Sequence, residues 1–105
     1  MTRSNAADYP ELRQMFGGYL HEDFVAEHGT ADAALRSFLE DADAAERRRF
    51  HREARRLLGA VLKVDFKDAQ DLLARLGCRW TPASRTALVG WLAAAANSES
   101  RHGKV

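Results

Sequence analysis

The side chains best suited to chemistry fall into four groups along the 105 residues. Cys78 lies in Leu76-Gly77-Cys78-Arg79-Trp80, at the end of an apolar helical pattern and beside an arginine, a setting that can lower a thiol pKa. Against a nucleophile stands the ordinary use of a lone cysteine as a small, buried, inert residue, and the sequence favours that use. No Gly-x-Ser-x-Gly elbow and no phosphate-binding glycine loop accompanies it.

His21, Asp23 and His28 form the second group. The histidines would share one face of a continuous helix. Zinc on a helix more often takes histidines four apart plus a third ligand, so no metal and no cofactor is expected. Arginines supply the third group: Arg47, Arg48 and Arg49, then Arg52, Arg55 and Arg56. They could grip phosphates, but no aromatic platform accompanies them and an acidic stretch precedes them. The fourth group is Phe16-Gly17-Gly18-Tyr19-Leu20-His21-Glu22-Asp23-Phe24, which gathers aromatics, a histidine and two acids. Phe16 and Phe24 suit a core; Tyr19, His21, Glu22 and Asp23 suit either support or contact with a protein partner.

These groups must be carried by helices. Apolar residues recur at three- and four-residue steps, strand-type alternation is absent, and the termini are polar. Pro10 opens a first segment in which Gly17-Gly18 marks either a bend or a close helix contact, and which stops at Gly29. Thr30 caps a second helix with Ala31, Ala34, Leu35, Phe38, Leu39 and Ala42 inward. Asp43 and Glu46 spell a capping box for a third, running to about Leu62. Its core face holds Phe50, Ala54, Leu57, Leu58 and Val61, opposite the arginines. Asp65 caps a fourth helix that Gly77 ends, and Thr81-Pro82 starts a fifth that Asn97 ends. The expected fold is all-α: a compact single domain, 1–105, of five or six helices, with residues 1–8 and 97–105 loose.

Composition narrows the function. The formal net charge is +1 and charged residues make up 30%, which excludes a uniformly basic surface built for nucleic acid or membrane. No apolar run reaches the ~18–20 residues of a membrane helix. A single cysteine and a polar N-terminus suit a cytoplasmic protein. The near-zero charge hides a separation. Residues 22–46 carry eight acids (Glu22, Asp23, Glu27, Asp32, Glu40, Asp41, Asp43, Glu46) and one base, net −7. Residues 47–85 carry eleven bases and four acids, net +7. The two blocks either pair with each other, stand solvated, or leave the acids free for a basic partner.

The motif at residues 16–24 resembles one helical branch of the bacterial immunity proteins of contact-dependent growth inhibition systems. There a Tyr/Phe-Pro-x-Leu opening runs into Phe-Gly-Gly-Tyr-Phe-His-Gln-Asp-Trp. Here it reads Tyr9-Pro10-Glu11-Leu12, then Phe16 to Phe24, with Leu20, Glu22 and Phe24 as departures. Ala34-Leu35-Arg36-Ser37-Phe38-Leu39 matches the following helix. The resemblance implies a small cytoplasmic protein, encoded beside a toxin, that binds the toxin's C-terminal domain, commonly a nuclease, and performs no chemistry itself. Nucleases need basic surfaces, so the expected partner-binding residues are Tyr19, His21, Glu22, Asp23, Glu27, Asp32, Glu40, Asp41, Asp43 and Glu46. No direct contact with nucleic acid or membrane is expected on this reading. The alternative is a small nucleic-acid-binding or regulatory module using the arginine face of the third helix.

Overall fold

The computed structural model describes residues 8–103. Six helices follow one another: α1 (Pro10–Tyr19), α2 (Phe24–His28), α3 (Ala31–Asp41), α4 (Ala44–Val61), α5 (Phe66–Arg75) and α6 (Arg85–Gly103). No strand occurs among the described residues, so the chain is an all-α bundle. The long helices α4 and α6 pack on each other most extensively. Helix α1 lies against α4 and α3, the short α2 lies on α3, and α5 lies on α4. One cluster of buried side chains runs through the whole bundle, from Tyr9 and Leu12 through Phe50 and Leu57 to Leu92 and Ala95.

Local signals set most of the boundaries. The Thr30 hydroxyl accepts the Ala33 N–H at 3.0 Å. Asp43 and Glu46 close their capping box, each side chain accepting the other's backbone N–H, at 2.8 and 3.0 Å. Asp65 accepts the Asp68 N–H at 3.0 Å. Gly29 and Gly77 adopt φ of +83° and +91°, the left-handed conformation that lets a helix stop without a Cβ clash.

Three boundaries differ from the sequence expectation. The first segment does not bend at Gly17-Gly18; α1 runs straight through both, and the break falls at residues 20–23. Tertiary bonding makes that break, since the Leu20 carbonyl accepts the Arg79 N–H at 2.9 Å while the Leu20 side chain is fully buried. Thr81-Pro82 does not begin the last helix. Residues 78–82 form no helix, with Cys78 and Pro82 buried and Trp80 half-buried, and Ser84 caps α6 by accepting the Ala87 N–H at 3.1 Å. Asn97 does not end α6; its side-chain N–H donates to the Ala93 carbonyl at 2.8 Å and the helix continues to Gly103. The expected loose N-terminus lies outside the described residues, apart from Asp8.

The buried face of α4 also holds two polar residues, His51 and Glu53. The Nδ1–H of His51 donates to the Ala95 carbonyl of α6 at 3.1 Å. Glu53 does more. Helix α1 has no side-chain cap of its own, because its N-cap residue is Tyr9. The Glu53 carboxylate, reaching over from α4, accepts the Glu11 N–H at 2.9 and 3.1 Å and the Leu12 N–H at 2.9 Å. It thereby satisfies two of the orphan donors that every helix start exposes, and places a negative charge at the positive end of the helix dipole.

Burial raises the Glu53 pKa above its ordinary value of 4.5, and the two backbone N–H groups only partly counter it. The native state therefore holds that proton more tightly than the unfolded chain. The stability linked to this group is full below the unfolded pKa and is lost as pH rises through the higher folded value. Glu53→Ala should destabilise the protein by about 3 kcal/mol, since it strands two N–H donors, and Glu53→Gln by less. Urea unfolding checks this. The advantage of the wild type over Glu53→Gln should shrink as pH rises from 4.5 through the raised value.

Candidate functional site

The motif of residues 16–24 becomes a corner where α1, α2 and α3 meet. Tyr19 stands in the last turn of α1, and its hydroxyl donates to Asp41 Oδ2, at the end of α3, at 2.5 Å. Its ring sits edge-on to Phe38 at 5.5 Å and stacks on His28 at 5.7 Å. Hydrogen bonding to Asp41 lifts the phenol pKa from 10.0 to about 12, with burial and the negative charges of Asp41 and Glu46 adding to it. In the turn that follows, His21 Nδ1 accepts the Asp23 N–H at 3.0 Å. A neutral ring used that way carries its proton on Nε2, and this N–H donates to Glu27 Oε1 at 3.0 Å. His28 Nε2 stands 3.9 Å from the same oxygen.

Four of the expected contact residues, Tyr19, His21, Glu27 and Asp41, are therefore joined through His28 into one cluster. Glu22 and Asp23 lie exposed in the adjoining turn. Asp32 and Glu40 are exposed near opposite ends of α3, eight residues or ~12 Å apart along the axis. Asp43 and Glu46 are engaged with each other in the α4 capping box. No group of three side chains that could hold a metal ion occurs among the described residues.

The acidic and basic blocks do not neutralise each other by contact. Among the described residues the close acid–base side-chain contacts are His21–Glu27, His28–Glu27 and Arg49–Glu11, and none joins an acid of 22–46 to a base of 47–85. Several arginines of the basic block are staples instead. Arg47 donates to the Leu39 and Ala42 carbonyls at the end of α3, at 3.0 and 2.7 Å. Arg85 donates to the Val61 and Val64 carbonyls at the end of α4, both at 2.9 Å. Arg56 donates to the Asp8 carbonyl at 3.2 Å. Arg48, Arg52 and Arg55 remain exposed on the outer face of α4. Sequence reading had no signal for these staples, since a lone Arg carries no mark of which carbonyl it will reach.

Sequence reasoning also missed an open cleft of about 600 Å³ between the start of α3 and α6, with Asp32 and Arg36 on one wall and Trp80, Gly90 and Trp91 on the other. Trp91 anchors it by donating from Nε1 to the Ala31 carbonyl at 3.0 Å. The Trp80 and Trp91 rings lie 5.7 Å apart. Cys78, close by in the chain, is buried, and burial pushes its thiol from 9.0 up to about 12, the opposite of activation.

The family model described as CdiI immunity protein matches residues 8–98, and the chain belongs to that family. It is thus an immunity protein of contact-dependent growth inhibition, which neutralises a toxin by binding it. No curated protein and no solved structure matches the chain. No helix among the described residues is long and apolar enough to cross a membrane.

Two measurements probe this region. Cys78 should resist a thiol reagent at pH 8 in the native protein and react fully in denaturant. Ultraviolet titration should show Tyr19 ionising near pH 12 and, in Asp41→Asn, closer to 10. Because the folded value is the higher one, the stability contributed by the Tyr19 phenol is full below pH 10 and lost as pH rises through 12.

Proposed function

We propose that the chain is a cytoplasmic, non-enzymatic inhibitor of a toxin whose C-terminal domain is a nuclease, and that it meets this domain with its acidic face. The observation that carries the reading is the unpaired state of the acids: Glu22, Asp23, Asp32 and Glu40 are exposed and in no ion pair among the described residues, and Arg47 and Arg85 of the basic block are turned to helix-end carbonyls. A nuclease must hold phosphates with a positive surface, and a preformed negative face competes for those groups and speeds encounter. The Tyr19 cluster fits the same interface, with a neutral phenol and two imidazoles at its centre. Asp43 and Glu46 contribute field rather than contact in this scheme, because α4 needs them as its cap.

The alternative of direct nucleic-acid binding rests on Arg48, Arg52 and Arg55, which would have to act without an aromatic platform. Reversing Glu22, Asp23 and Glu40 together to Lys leaves every hydrogen bond described above intact. The triple variant should lower the association rate for the toxin domain by about 10- to 100-fold at low salt and flatten its salt dependence. Unchanged kinetics would refute the acidic-face reading. Salt-dependent RNA or DNA affinity of the isolated protein, lost on mutating the three α4 arginines, would establish the alternative.

A further inference from the structure

We infer that the cleft between α3 and α6 is an anchor pocket that receives an apolar side chain of the toxin, flanked by a basic residue that reaches Asp32. The role given to Asp32 rests on the acidic-face reading; the pocket itself stands on separate observations. Its lining is partly aromatic: Trp80 is half-buried and stands 5.7 Å from the buried Trp91, so part of one indole is exposed in a concave site. The indole N–H of Trp91 is already committed to the Ala31 carbonyl, which fixes that ring in place. Preformed aromatic concavities of this kind are where a few side chains supply most of the energy of a protein interface.

Gly90 is the second observation. It lies within α6, where glycine is about 1 kcal/mol worse than Ala. It does not have positive φ, and a Cβ placed there would meet nothing within 4 Å. Neither backbone conformation nor crowding explains it, and it contributes no side chain to the cleft it lines. Gly17, Gly18 and Gly59 are equally uncrowded, but none of them lines the cleft.

Charge complementarity names the occupant. Asp32 is exposed on the rim, belongs to the net −7 block, and makes no ion pair among the described residues, although Arg36 stands one turn along on the same wall. A partner base beside an inserted Leu, Phe or Tyr would satisfy it. The methylene stem of Arg36 can lie over the inserted group with its charge in water.

The test uses the full chain and the isolated toxin domain encoded beside it. Gly90→Ala, Gly90→Met and Gly90→Trp form a graded series that fills the cleft while replacing a poor helix residue, so each should melt no lower than wild type. Gly90→Ala should bind the toxin domain like wild type. Gly90→Met and Gly90→Trp should weaken binding by roughly tenfold or more, through faster dissociation with the salt dependence unchanged. If folded Gly90→Trp binds as tightly as wild type, the pocket is refuted, and the acidic-face reading then stands or falls on its own charge-reversal variant. If wild type instead forms a concentration-dependent dimer that Gly90→Trp abolishes while toxin affinity is unchanged, the occupant is a second copy and the inference is equally overturned.

Discussion

Helix α1 begins at a residue that cannot cap it. Tyr9 has no side-chain oxygen placed for the first-turn donors, and its ring is fully buried in the core. The carboxylate of Glu53 takes over, binding the Glu11 and Leu12 N–H groups from the facing helix. One charged group on α4 thus fixes where α1 starts, and with it the direction of everything that follows. Phe16 comes to rest 6.0 Å from Trp91, and Tyr19 arrives at the far end of the helix opposite Asp41 and His28. The arrangement is tolerable because the acid is not left alone: two backbone donors and the helix dipole offset much of its desolvation, although its pKa still rises.

Charged residues acting on the ends of other helices recur through the bundle. Arg47 closes α3, Arg85 closes α4, and Arg56 holds the segment before α1. Each guanidinium used in this way is withdrawn from pairing with the acidic block. The polarity of the surface is therefore partly a by-product of how the helices are tied together. Arg47 and Arg85 are held by carbonyls, while the exposed acids of α3 and the α1–α2 turn stay in water. For a protein that must recognise a toxin, that leaves a fixed electrostatic face on a scaffold whose ends are well secured.

Much of the architecture was legible in the sequence because it is encoded locally. Thr30, Asp43 with Glu46, and Asp65 cap through donors three residues away, and Gly29 and Gly77 stop helices by their own conformational freedom. The family motif likewise sits in a short contiguous run. What failed was decided at a distance. Gly17-Gly18 reads as a bend, yet the break belongs to Leu20, whose carbonyl is claimed by Arg79. Thr81-Pro82 reads as a helix start, yet Pro82 and Trp80 are used for packing and Ser84 caps instead. Among the candidate contact residues, the sequence could list Tyr19, His21, Glu27 and Asp41 as polar or aromatic, but not that they would touch.

By itself, then, the sequence determined the all-α class, most of the caps and the core stripes, because these follow from periodicity and from hydrogen bonds spanning three or four residues, and a contiguous motif pointed to the family. Its charge arithmetic also determined that a −7 segment and a +7 segment exist. Only the tertiary structure decided what those charges do. Whether an arginine meets a carboxylate, a carbonyl or water depends on which helix ends lie within its reach, and the packing of α4 against α1 and α6 sets that reach. The same packing decided that Glu53 is a cap rather than a surface acid, and that Trp80, Trp91 and Gly90, far from Asp32 in the chain, enclose a cleft beside it.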